Sequence, residues 1–228
     1  MIMKRVKTGI AGLDRIIEGG FPEESSIILI GPPGCGKSTL SQQFLAQGIK
    51  DEEDVMYITL DTSPEEILET MKSFGWKVKN GFMKFIDAYS WRLGKIKGEH
   101  VLSSLENVNE LNIEISDIIE KQKNSKSKRS VFDSISTLLL YANPSLAVKF
   151  IPVMIAKEKQ GGYTNMLILE EGVHDEKTVT TLNYVTDGVI EFKMEGDKRF
   201  LRVSRMKGTK HKRDWMEFKV TENGIVMK

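Results

Sequence analysis

Short apolar runs alternate with amphipathic stretches through most of the chain. Residues 26–30 (SIILI) run into Gly31, 55–60 (VMYITL) into Asp61, and 165–169 (NMLIL) into Glu170 and Glu171. Residues 82–86 (FMKFI) form a weaker run, and Val131 and Phe132 lead into Asp133. Runs of this length predict strands buried on both faces. The spacing between them predicts helices at about 38–49, 64–75, 101–122 and 145–159. Such alternation predicts an α/β fold, a mostly parallel sheet with helices on both faces. Right-handed crossovers then set the carboxyl ends of the strands along one edge, where such sheets bind ligands. The tail reads differently. Residues 189–193, 200–205, 216–220 and 225–227 are short strand patterns joined by Gly, Asp and Asn turns, which predicts a C-terminal antiparallel extension of the same sheet.

Length and composition add limits. The chain has 228 residues, which suits one domain spanning 1–228 without a second core. Its one cysteine, Cys35, excludes an intramolecular disulfide framework, so a reducing cytoplasm is the simplest setting. With 33 basic and 32 acidic residues, the balance gives no global reason to expect nucleic acid. The start, MIMKRVKTGI, lacks the apolar centre of a signal peptide. No apolar run reaches the ~18 residues of a membrane span. A cytoplasmic protein without a membrane segment is expected.

The chemistry lies first in Gly31-Pro32-Pro33-Gly34-Cys35-Gly36-Lys37-Ser38, which fits GxxxxGK[ST] at every position. A strand pattern precedes it and a helix pattern follows, the context the motif requires. Its glycines let backbone N–H groups face phosphate oxygens, and the helix amino terminus favours the anion. Lys37 is expected on the β- and γ-phosphates, Ser38 on magnesium and Thr39 near the α-phosphate. These residues predict binding of a nucleoside triphosphate, ATP, with Mg2+. Cys35 reads as a small residue at a variable loop position; a reactive thiolate is the alternative, since helix amino termini lower thiol pKa. A magnesium–phosphate site also needs a carboxylate at a neighbouring strand end, and Asp133 in SVFDS, with small Ser134 and Ser136 beyond, is the candidate metal-side group.

These residues, with three more stretches, resemble the KaiC-like branch of the RecA/RadA ATPase superfamily. The lead VKTGIAGLDRIIEGGF at 6–21 looks like that superfamily's T-G-I-x-G-L-D opening. Ser63-Pro64-Glu65-Glu66 followed by Ser73-Phe74-Gly75-Trp76 is similar to the segment after strand two of KaiC-like proteins. Arg205-Met206-Lys207-Gly208-Thr209-Lys210-His211 is similar to their K-x-R-G-T-x-H motif, with Phe218-Lys219-Val220 and Asn223-Gly224-Ile225 beyond. The resemblance covers nearly the whole chain. It implies a RecA-like P-loop core, hexameric rings and ATP held between neighbouring copies. It further implies that Arg205 and Lys207 reach the neighbour's nucleotide, with Thr209 and His211 near the same interface. The two basic types are exchanged relative to the family pattern, and Arg and Lys differ in geometry.

The resemblance also marks a departure. KaiC-like ATPases carry two adjacent glutamates after strand two, the first being the water-activating base; here Asp61-Thr62 stands there. Asp61 keeps a carboxylate on a shorter side chain, so weak hydrolysis is expected, with Asp61 orienting water. Glu170 and Glu171 are possible substitutes, Glu171 reading rather as surface. Ser63 with Glu66 reads as a capping box. The basic stretches 121–129 and 207–213 read as solvated. Trp91 and His100 flank residues 95–97 in a polar segment with no assigned chemistry, His174 has no partner spaced as a metal site, and Trp76 and Trp215 read as packing residues. The leading expectation is a single-domain KaiC-like ATPase coupling nucleotide state to ring conformation or a protein partner. The alternatives are a non-hydrolysing nucleotide-gated scaffold and a DNA-binding recombination accessory protein.

Overall fold

The computed structural model describes residues 3–78, 81–94, 98–125 and 127–228. The chain opens with β1 (Arg5–Val6), α1 (Ala11–Ile16) and β2 (Phe21–Pro22), then alternates through β3 (Ser26–Gly31), α2 (Lys37–Lys50), β4 (Asp54–Thr59), α3 (Pro64–Ser73) and β5 (Met83–Asp87). A short 3-10 turn (Ser90–Leu93) leads to α4 (Val108–Lys121), β6 (Lys128–Asp133), α5 (Ile135–Tyr141), α6 (Pro144–Gln160), β7 (Tyr163–Glu170) and α7 (Glu176–Val185). The tail is β8 (Gly188–Glu195), β9 (Lys198–Met206), β10 (Met216–Thr221) and β11 (Gly224–Met227).

Nine strands form one sheet in the order β11-β10-β9-β8-β3-β7-β6-β4-β5. Pairings from β8 through β5 are parallel, and β8–β9, β9–β10 and β10–β11 are antiparallel. The antiparallel extension therefore begins one strand later than expected: the run at 189–193 lies in β8, which joins β3 in parallel. The pattern does not tell them apart, because β8 sets Glu191 and Lys193 opposite Ile190 and Phe192, an alternation like that of the antiparallel strands after it. Successive residues of β3 and β4 face opposite layers. Ile27, Leu29, Val55 and Tyr57 join the core beneath α1, α2 and α3, while Ile28, Met56 and Ile58 join the core beneath α4 to α7.

Local chemistry sets the helix ends. Ser63 accepts from the Glu66 N–H at 3.3 Å and starts α3, as its capping pattern predicts. The helix expected at 101–122 starts only at Val108. Asn107 caps it, and Glu110 turns back to accept from the Ser103 N–H and hydroxyl, holding the preceding segment extended. The helices α1, α5 and α7 escaped the sequence reading; α7 buries only Leu182, so it has almost no apolar stripe.

The stretch 121–129 is not a solvated loop throughout. Arg129 is fully buried, paired with Glu53 and with Asp51 at 3.5 Å, donating to the Lys7 and Phe44 carbonyls, and lying over the Phe44 ring. Lys128 is buried as well and donates to the Gly161 carbonyl at 2.6 Å. Both cations anchor the start of β6 and are withdrawn from any phosphate surface. Lys126 of this stretch, and residues 95–97, lie outside the described residues.

Candidate nucleotide-binding site

The carboxyl ends of β3, β4, β6 and β7 meet along one edge. The loop from β3 to α2 wraps there with Gly34 at φ +75° and Gly36 at φ +106°, conformations that glycine adopts without a Cβ penalty. A Cβ on Gly31 would stand 2.6 Å from Phe192 Cβ, so β8 fixes the loop's base. Helix α2 begins without a side-chain cap, leaving its first N–H groups facing the loop's mouth. Ser38 is exposed at this mouth and Thr39 half-buried behind it.

Lys37 is buried and folds back on its own loop. Its ammonium donates to the Gly31 carbonyl at 2.7 Å, the Pro32 carbonyl at 2.8 Å and Glu170 Oε2 at 2.9 Å. The loop thus carries its own counter-charge from β7. Cys35 is fully buried and 3.7 Å from Lys37 Nζ. Burial pushes its thiol up despite the ammonium beside it, which fits a packing residue rather than a reactive thiolate.

Asp133 ends β6 next to the loop. Burial pushes its carboxyl up to about 6, and the charges of Asp61 and Glu170 act in the same direction; hydrogen bonds from Tyr57 and Ser38 oppose the shift. The Tyr57 hydroxyl donates at 2.7 Å. The Asp133–Ser134 peptide bond is cis. Asp61 is exposed just beyond β4, with Ser134 donating to Oδ2 at 2.8 Å and the Thr137 hydroxyl donating to Oδ1. Ser136 donates to no carboxylate here; its oxygen accepts the Glu170 N–H at 2.8 Å and meets His174 Nε2 at 2.9 Å. Burial lowers the His174 pKa, favouring a neutral ring. Glu171 is exposed, as expected, and its N–H donates to the Gly31 carbonyl at 3.1 Å.

The edge therefore gathers residues 31–39, Asp61, Asp133 and Glu170. The remaining candidates gather elsewhere. Arg205 pairs with Val189 near the start of β8, at the amino ends of the parallel strands. Arg199, at the other end of β9, approaches the Gly34 carbonyl at 3.4 Å. Six residues of strand at roughly 3.4 Å each put Arg205 about 20 Å away from its own loop. Its guanidinium donates to the Thr186 carbonyl at 2.7 Å and to the Asn183 carbonyl, closing the carboxyl end of α7. Lys207 is exposed and 4.0 Å from Asp187. Thr209 accepts from Arg5 at 2.5 Å, and His211 Nδ1 lies 3.0 Å from the Thr209 carbonyl.

Sequence reasoning missed the groups that hold this edge in place. Tyr57 lies inside an apolar run, and Thr137 inside an unrecognised helix, so neither carried a signal. Ser134 and Ser136 were visible only as small residues after Asp133.

A parallel sheet with a glycine-rich loop, a lysine, a hydroxyl and a strand-end aspartate at one edge defines a P-loop nucleoside triphosphatase core of the RecA type. The chain belongs to the KaiC ATPase family: the family model described as "ATPase: KaiC" matches residues 6–228. It is 31% identical to a UPF0273 protein of Thermotoga maritima over 99% of this chain and 96% of that one. A UPF0273 protein of Pyrococcus horikoshii is 32% identical over 98% of this chain and 94% of its own length. Among solved structures, a KaiC-like protein from Pyrococcus horikoshii superposes with a TM-score of 0.81 at 26% identity, covering 99% of both chains. No helix among the described residues is long and apolar enough to cross a membrane.

Proposed function

We propose that this chain binds Mg-ATP at the carboxyl edge of its sheet and hydrolyses it slowly in a site completed by a neighbouring copy in a ring. Nucleotide state would then set ring conformation or the grip on a protein partner. The observation that carries this reading is the meeting of Lys37, Ser38 and Asp133 at one edge, where β3 and β6 end beside the loop. Lys37 exchanges its carbonyl and Glu170 partners for the β- and γ-phosphates. Ser38 and Asp133 are the residues that would hold magnesium, and they fit it: a half-buried carboxylate pushed up to about 6 is one short of nearby positive charge. The bound ion would neutralise phosphate charge in the transition state. Asp61 orients the attacking water from a carboxylate fixed by Ser134 and Thr137.

Arg205, Lys207, Thr209 and His211 act on the next copy's nucleotide. The place of Arg205 about 20 Å from its own loop supports this, since that distance excludes its contact in cis. A head-to-tail ring is the arrangement that joins one end of the sheet to the other end of its neighbour's. The test is ATP turnover per chain against protein concentration. A rate that rises with concentration to a plateau is expected; a rate that is constant down to the monomer range overturns the composite site. One observation favours a second reading, the non-hydrolysing scaffold: both Asp61 oxygens are already occupied by hydroxyl donors. Saturable ATP binding with no phosphate release at any concentration would establish it.

A further inference from the structure

A cluster outside the nucleotide edge surrounds His100. The His100 side chain is 4% exposed, and its Nε2 is enclosed without a hydrogen-bond partner among the described residues. Nδ1 lies 2.5 Å from Glu114 Oε2 and 3.7 Å from Asp117 Oδ2. On the other side, Nε2 lies 3.3 Å from Glu99 Oε1. Glu114 and Asp117 are three residues apart on α4 and so share a face. The backbone brings the ring to them: the Asp87 N–H donates to the His100 carbonyl at 2.9 Å, tying it to the end of β5.

In either tautomer one ring nitrogen sets a lone pair beside a carboxylate. With the proton on Nδ1, the Nε2 lone pair faces Glu99. With the proton on Nε2, the Nδ1 lone pair faces Glu114 at 2.5 Å. Charge leads to the same result. Lys121 reaches Asp117 and Glu99 at 2.8 Å each and Lys84 reaches Glu99 at 3.9 Å, so among the described residues two lysines answer three carboxylates.

We propose that His100 Nδ1, Glu114 and Asp117 form a binding site for a divalent transition-metal ion of the zinc or cobalt type. The three ligand atoms lie within 4.8 Å of one another. One imidazole nitrogen with two carboxylates is a donor set that such ions accept, while an all-oxygen set would suit magnesium. With the ion on Nδ1, the Nε2–H is left 3.3 Å from Glu99 Oε1, and a small turn of that exposed carboxylate makes it the outer partner that commonly orients a ligating histidine. Lys121, 46% exposed on its side chain, is the group that gives way. The ion would pin the segment around His100 to α4, independently of the ATP site.

The test uses the untagged full chain without nucleotide, titrated with Co2+ and followed by visible absorption and calorimetry. Asp133→Asn serves as background to remove the phosphate-loop cation position. One equivalent bound in both wild type and Asp133→Asn is expected. Glu114→Gln and Asp117→Asn, surface changes checked for folding by circular dichroism, should each weaken it at least tenfold, and Glu99→Gln by about tenfold. Binding that is lost in Asp133→Asn but unchanged in Glu114→Gln would assign the ion to the phosphate loop and overturn the proposal. So would no stoichiometric binding together with a doubly protonated His100 ring by NMR, which would make the cluster an ion pair alone.

Discussion

At the carboxyl edge of the sheet Asp133 is pushed up to about 6, and toward the amino edge Glu158 is pushed up to about 7, each by burial first. The surroundings differ. Asp133 accepts from Tyr57, opens toward an exposed Ser38, and lies beside the glycine-rich loop. Glu158 is 1% exposed, accepts from Ser130 at 3.0 Å, and pairs with no Lys or Arg among the described residues. The same desolvation cost is open to an incoming cation at one end and sealed at the other. A raised carboxylate therefore marks a site only where something charged can reach it. Arg205 extends the contrast, because it stands at the amino end of its own sheet, about 20 Å from the loop, and in the proposed ring it would meet an open end on another copy.

The largest effect should come from separating these two ends. Lys37→Ala and Arg205→Ala should each lower turnover by roughly a thousandfold or more, the size of a lost phosphate lysine or trans-acting arginine. Mixed in equal amounts, the two inactive variants should recover about a quarter of wild-type turnover, since a random head-to-tail ring pairs an intact loop with an intact neighbour at that frequency. A mixture as inactive as its components would place both residues in one chain's site. Loss of the α7 contacts is separated from loss of the trans contact by melting temperature, because only the former lowers it in the isolated chain.

Next in size is the sealed carboxylate. Its folded value of about 7 lies above the ordinary 4.5, so its contribution to stability is full below pH 4.5 and is lost as pH rises through 7. A shift of that size corresponds to about 3 kcal/mol. Glu158→Gln keeps the hydrogen bond from Ser130 and removes the titration. The variant should gain stability relative to wild type across that window in urea melts from pH 4.5 to 8. Asp133 adds a similar loss between 3.8 and about 6. Mg-ATP should relieve the Asp133 part and leave the Glu158 part untouched, which sharpens the contrast between the open and sealed ends.

Asp61→Ala should lower turnover by roughly tenfold to a hundredfold with ATP affinity within a factor of two, the split expected of a group that positions water. Equal loss of affinity and turnover would make it a binding residue. How much of this edge the sequence disclosed follows from how local each signal is. The phosphate loop is contiguous, and every residue of its motif has a separate reason to be there. The strand pattern around it was legible because parallel strands are apolar on both faces. Asp61 and Asp133 were visible as acids at strand ends, but Tyr57, Ser134 and Thr137, which hold them, come from three separate elements that only the sheet brings together. Helix α7 was illegible because its Thr- and Val-rich face buries one leucine, and the burial of Lys128 and Arg129 was hidden by a run of cations that ordinarily signals solvent.

The smallest effect tests the contact that no motif announced, Glu170 on Lys37. In the nucleotide-free protein this pair neutralises the loop, so phosphate must displace a carboxylate from the ammonium before it binds. Lys37 is almost fully buried and Glu170 three-quarters so on its side chain, which makes the competition stronger than at an exposed pair. Glu170→Gln should therefore raise ATP affinity severalfold by equilibrium titration, while the same change weakens the nucleotide-free protein to heat. If affinity falls instead, Glu170 has a direct part in holding the nucleotide or its ion, and the open end of the sheet would contain a second metal-side carboxylate beside Asp133. The sign of that one change decides whether the edge is held shut by its own counter-charge or built around it.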